Sequence, residues 1–172
     1  AKQTLASMRI SQCNAAEASS IIAKVYDEVY SAVRDAQNKP IINMVSEGSE
    51  KESSSNDKEL PDSAFLLQTC KLMIECAPED NSLALKALDL LDLLLNQNDE
   101  DPELWYVMGI GALACEPRDV VQAKEAFQKA RALVETAIER AEEADDDDDD
   151  GDGDHEMDWQ SYLDLIDQQL SC

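Results

Sequence analysis

Residues 101–137, DPELWYVMGIGALACEPRDVVQAKEAFQKARALVETA, constrain the fold more than any other stretch. They read as two helices with a short break between them. Asp101 is placed to cap a helix that begins at Pro102, where a missing N–H and a fixed φ suit the first position. That helix carries Leu104, Trp105, Met108, Gly109 and Ala112. Asp119 stands three residues before Gln122, a capping-box spacing, and opens a second helix with Ala123, Phe127, Ala130 and Leu133 on one face. The aromatic at 105 fills the gap between helices, and the glycine four residues on admits the partner backbone. Ala123, Phe127 and Ala130, spaced by four and three, then form a tight seam. The expected product is a closely packed helical hairpin; one with ordinary core residues is the plainer alternative.

The rest of the chain supplies more helices in the same style. Residues 2–12 place Leu5, Met8 and Ile10 on an inward stripe. Asn14 and Glu17 form another capping pair, and Ala18, Ile22, Val25, Val29 and Val33 repeat every three or four residues until Pro40. Tyr26 and Tyr30, one turn apart, are expected to pack between helices. After Pro61-Asp62 comes a helix lined by Phe65, Leu66, Thr69, Leu72 and Met73 and ended by Pro78. Asn81 or Ser82 is expected to cap the next, in which Ala84, Leu88 and Leu91 repeat the seam spacing. With Leu85 and Leu95, that helix is apolar on more than half its circumference, so it is expected to be sandwiched between neighbours. The spacing predicts helices over 2–12, 15–37, 62–76, 82–97, 102–115, 120–143 and 159–170, an all-α fold.

Two stretches break the pattern. Residues 45–60, VSEGSEKESSSNDKEL, have almost no apolar content and are expected to be a mobile insertion. Residues 145–158 hold ten carboxylates in fourteen positions, a density that predicts a solvated acidic tether. Beyond it Asp158 is placed to cap a terminal helix with Trp159, Leu163, Ile166 and Leu170 on one stripe and Tyr162 beside it. The resulting division is 1–144 helical repeats, 145–158 tether and 159–172 a C-terminal amphipathic helix that caps the helical stack or serves as a tethered partner-binding helix. The chain starts at Ala1 inside a helical pattern, which reads as a fragment or a processed chain.

Charge narrows the partners. The net charge is −24, and residues 41–172 alone carry −25. Such a surface repels nucleic acid and anionic membrane and attracts basic proteins; solubility alone is the bland alternative. No catalytic, metal or cofactor constellation is expected. The five cysteines form no CxxC, the single His155 lies in the acid tract, and Gly109 and Gly111 fall inside a helix pattern instead of a phosphate-binding loop. The acid tract lacks the terminal glutamate and flanking helices of an EF-hand. The chain is therefore expected to be a non-enzymatic, monomeric binding protein of a reducing compartment.

Residues 82–113, SLALKALDLLDLLLNQNDEDPELWYVMGIGAL, resemble the repeat region of tetratricopeptide (TPR) assembly chaperones dedicated to universal large-subunit ribosomal protein four. The order of features is similar: an Ala/Leu-rich helix, an acidic turn, then Glu103, Trp105, Tyr106 and Gly109 in an E-x-W-Y-x-x-G helix. AKEAFQKARAL downstream, QTLASMRISQ near the start, and an acidic stretch before a last short helix also resemble that family. The resemblance implies a TPR-like solenoid that holds a basic internal loop of the new ribosomal protein and accompanies it from cytoplasm to nucleus for large-subunit assembly. The chain departs from the family in lacking its first repeats and in the insertion at 45–60.

Solenoid grooves draw mostly on the first helix of each pair. Helical spacing puts Glu103, Tyr106 and Ile110 on one stripe, apart from the seam residue Met108, and these are the main partner-binding candidates. Gln68 and Glu75 are further candidates on the preceding first helix. Asp99, Glu100 and the run Asp145, Asp146, Asp147, Asp148, Asp149 and Asp150 are expected to add long-range attraction. The competing use of Tyr106 and Ile110 is contact with the next helix. Rival readings are an acidic histone-type chaperone, a general TPR scaffold, and a co-chaperone gripping an acidic heat-shock-protein tail. The last is disfavoured because Lys71 is almost the only basic residue on the first helices.

Overall fold

The computed structural model describes residues 2–12, 14–37, 61–144 and 159–171, and within them the chain is all-α. The helices are α1 (Lys2–Ser11), α2 (Ala15–Gln37), α3 (Ser63–Cys76), α4 (Ser82–Leu95), α5 (Pro102–Ala114), α6 (Val120–Ala144) and α7 (Trp159–Leu170). The expected boundaries agree to within two residues. The expectations for 45–60 and 145–158, and for Asp158 as a cap, lie outside the described residues.

Helix ends follow local chemistry, in part at residues other than those expected. Asp101 Oδ1 accepts from the Glu103 amide at 2.9 Å, and Asp119 Oδ1 accepts from the Gln122 amide at 2.9 Å. Asn14 Oδ1 accepts from the Glu17 amide at 3.3 Å. Asn81, one of the two residues expected, stands at the N-cap position of α4 but its side chain makes no capping bond. The side-chain acceptor comes from Asp80, its Oδ1 accepting from the Ser82 amide at 3.0 Å and the Ser82 hydroxyl at 2.7 Å. Those bonds favour the ionised carboxyl and hold its pKa below the ordinary value. Asp62 makes no side-chain capping bond.

The helices pair into hairpins α1–α2, α3–α4 and α5–α6, and each hairpin packs against the next. α1 also touches α3, α3 touches α5, and α2 touches α4, so α1, α3 and α5 stand in one row. α7 packs on α6. The core is continuous from Ile22 and Val25 of α2, through Leu66, Cys70 and Met73 of α3, to Leu83, Leu90, Leu91 and Leu94 of α4 and Leu104 and Met108 of α5. Each such side chain, fully buried, contributes roughly 1.5–3 kcal/mol before the entropy of ordering is subtracted. A second cluster joins Ala112 of α5 and Ala123, Phe127, Ala130 and Val134 of α6 to Ile166 of α7.

Several inward assignments are corrected. In α1 the buried residue is Ala6, while Leu5 and Met8 are 39% and 50% exposed. The face of α1 turned to α2 and α3 runs through Gln3, Ala6, Arg9 and Ile10, so Ile10 packs on the core as expected while Leu5 and Met8 are left outside. Phe65 is exposed at the start of α3, and Leu85 is 57% exposed, so α4 is covered on less of its surface than its composition suggested. Gly109 admits a side chain, not a backbone. A Cβ there would lie 2.5 Å from the Phe127 ring. A Cβ on Gly111 would lie 2.9 Å from Leu88 Cδ2 and 3.3 Å from Ile74 Cδ1. Both glycines thus serve close packing inside a helix, as expected, at some cost in helix propensity.

Candidate partner-binding groove

α5 is apolar around most of its circumference, but it is not buried evenly. Leu104, Met108, Gly109 and Ala112 face the core, while Glu103, Tyr106 and Ile110 are half-buried on the opposite side. That outer face borders a cavity of about 320 Å³ between α3, α5 and α7. Its walls are Ile74, Tyr106, Val107, Ile110 and Tyr162, and its polar groups are Lys71, Glu75 and Glu103.

Local structure fixes each wall. Glu103 sits in the first turn of α5, immobilised where Asp101 caps that turn. Lys71 on α3 reaches it, Nζ to Oε1 at 2.5 Å, and this ion pair ties the two helices together. Both partners keep about a third of their side-chain surface in water, so the pair is partly screened. Glu75, one turn beyond Lys71, is exposed and has no ion pair among the described residues. Tyr106 is flanked by two rings, Phe127 at 5.7 Å and Tyr162 at 5.4 Å between centroids, both tilted. Burial raises the Tyr106 pKa, so its phenol stays neutral at physiological pH.

Tyr162 is the unexpected member. α7 carries it to the cavity while Ile166, on the same helix, is fully buried against α6. Its hydroxyl is buried and has no hydrogen-bond partner among the described residues. Its pKa is raised by burial first, then by Glu103, Tyr106 and Asp101 nearby. An unsatisfied buried hydroxyl costs about 1–3 kcal/mol, so an ordered one of this kind calls for a physical account.

The candidates named from sequence therefore separate into groups. Glu75, Glu103, Tyr106 and Ile110 meet in this cavity. Gln68 is exposed on α3 and lines none of it. Asp99 and Glu100 occupy the α4–α5 turn. Asp99 does not line the groove; its carbonyl accepts from Trp105 Nε1 at 2.8 Å, and the residue borders a separate cleft of about 750 Å³. That cleft, between α4, α5 and α6, includes Asp92, Trp105, Met108, Gln122 and Glu125. Glu100 donates its amide to Asn98 Oδ1. Asp145 to Asp150 lie outside the described residues. Sequence reasoning missed Tyr162, Ile74 and Val107 as groove residues, and took Lys71 as background. The flanking position of Tyr162 on its helix was the available signal.

The buried thiols do not join this site. Burial pushes Cys70 up to about 12, and burial followed by neighbouring carboxylates raises Cys76 and Cys115. They remain protonated packing groups at neutral pH. Among the described residues no group of three or more His, Cys, Asp or Glu side chains is disposed to hold a metal ion, and no helix is long and apolar enough to cross a membrane.

Fold and groove together define a class: an all-α protein of consecutive helical hairpins with an apolar, acid-rimmed cavity on the row of first helices. No known family, curated protein or solved structure matches the chain.

Proposed function

We propose that this chain is a non-catalytic chaperone of TPR-like build that binds and shields a basic segment of a large-subunit ribosomal protein before that protein is assembled. The segment best suited by the sequence resemblance is the basic internal loop of universal large-subunit protein four. The carrying observation is the cavity in which Glu75, Glu103, Tyr106 and Ile110 converge, within a chain of net charge −24. A basic extension has no core of its own and repels itself until an anion neutralises it. A carboxylate-rich surface supplies that neutralisation, and an apolar groove adds discrimination that charge alone lacks. The cleft bearing Asp92, Asp99 and Glu125 extends the attractive field around the far side of α5. Carriage of such a cargo places the chain in both cytoplasm and nucleus.

The test compares the basic loop peptide with a scrambled peptide of equal charge, at low and at high salt. Screening shortens from roughly 10 Å at 0.1 M to roughly 3 Å at 1 M, which separates charge from groove. Preference for the loop peptide that survives in part at high salt, and that Tyr106→Ala removes, supports a dedicated chaperone. Equal binding of both peptides, abolished by salt, contradicts it and favours a generic acidic chaperone of the histone-binding kind.

A further inference from the structure

We propose that the α3–α5–α7 cavity is a receptor for one cationic side chain of the partner, and that Lys71 occupies the cation position in the free chain. This rests on the reading that the chain binds a basic segment, and it names the chemistry of one subsite.

The cavity has the build of such a receptor. Ile74, Val107, Ile110 and the ring of Tyr106 line an apolar wall suited to the methylene stem of an arginine or lysine. Glu103 stands at the rim, already engaged by an ammonium: Lys71 Nζ lies 2.5 Å from its Oε1. Tyr162 lines the same cavity, and its hydroxyl is buried beside Glu103 without a hydrogen-bond partner among the described residues, so an incoming donor reaches it by a small shift of the ring. An ammonium from α3 satisfies the carboxylate but leaves the phenol oxygen unpaired. A guanidinium, with five donors in a planar fork, has enough to serve both Glu103 and Tyr162.

The exchange leaves no charge stranded. Lys71 and Glu75 are four residues apart on α3, the spacing at which helical side chains pair, and Glu75 has no ion pair among the described residues. Displaced from Glu103, Lys71 transfers to Glu75 while the incoming cation takes Glu103. The resident pair is partly exposed, so displacing it is a modest barrier. α7 is thereby part of the binding site, since it alone brings Tyr162.

Calorimetric titration of the full chain with the basic loop peptide, at fixed ionic strength, tests this. Lys71→Met removes the resident competitor; Lys129→Met, on an exposed position of α6, makes the same charge change elsewhere. The expected result is that Lys71→Met tightens binding about two- to fivefold beyond any gain from Lys129→Met, the scale of a part-exposed ion pair. Tyr162→Phe removes only the unpaired hydroxyl, and is expected to raise the Tm of the free chain while weakening the peptide. Those opposite signs separate a binding role from a purely structural one. Equal effects of the two lysine substitutions, or a raised Tm in Tyr162→Phe with unchanged affinity, overturn the subsite while leaving the chaperone reading standing. Absence of any binding by the unsubstituted chain overturns both.

Discussion

The two faces of α5 carry similar apolar content and have opposite fates. On the inner face Met108, Gly109 and Ala112 are buried, and Gly109 is so close to Phe127 that no Cβ fits without movement. On the outer face Tyr106 and Ile110 remain half-buried beside a cavity, and Glu103 holds an ion pair that water reaches. The difference lies in what each face meets: α4 and α6 on the inner side, and a gap bordered by α3 and α7 on the outer. Gly109 and Ala112 let α6 close onto the inner face, with Phe127 against Gly109, whereas Tyr106 and Ile110 border an unfilled space. A seam and a cavity are thus two outcomes of one helical period.

That contrast can be broken most severely from the inner face. Phe127 is 2% exposed and fills the notch left by Gly109. Phe127→Ala is expected to cost about 3–5 kcal/mol, read as a lowered denaturant midpoint, because the α5–α6 seam would line an empty cavity. A change below about 1 kcal/mol would mean that the seam collapses onto the space and does not depend on the ring. A smaller loss is expected at the edge of the groove. Ile166 is the one fully buried residue among those of α7 whose side chains are described. Ile166→Ala should cost about 2–5 kcal/mol if α7 is a structural cap, toward the lower end because the end helix can shift to close the space. An unchanged melting curve would mean that α7 is not held by its contact with α6.

The smallest effect belongs to the far cleft. The Asp92 carboxyl is held above its ordinary pKa by burial first and by Asp89 second. A raised carboxyl favours the folded state when protonated: its contribution is fully present below the unfolded pKa and is lost as pH rises through the folded one. Asp92→Asn should therefore stabilise the chain at neutral pH by no more than about 0.5 kcal/mol and show no gain at pH 3. Stabilisation that grows on acidification would reverse the assigned sign.

Most of the helical architecture was legible from sequence because it is local: periodicity, Pro102, and the caps at Asn14, Asp101 and Asp119 each act within a turn or two. At α4 the N-cap position fell on Asn81, one of the two residues expected, but the capping bond came from Asp80, because all three of Asp80, Asn81 and Ser82 are competent and only geometry chooses among them. The groove was legible as a stripe, Glu103, Tyr106 and Ile110, but not as a cavity. Its other walls come from α3, about thirty residues earlier, and from Tyr162 on the terminal helix. Periodicity says which residues share a face; it does not say which faces meet. Asp99 illustrates the reverse error: it is near Glu103 in sequence, yet it lines the cleft on the other side of α5.

The central claim is that a partner seats on the outer face of α5. Amide chemical-shift mapping of the full chain titrated with the basic loop peptide tests it residue by residue. The account predicts that the largest changes fall on residues 71–75, 103–110 and 162–163, where α3, α5 and α7 enclose the cavity. Changes confined to 92–99 and 122–126, the cleft on the opposite face, would contradict it.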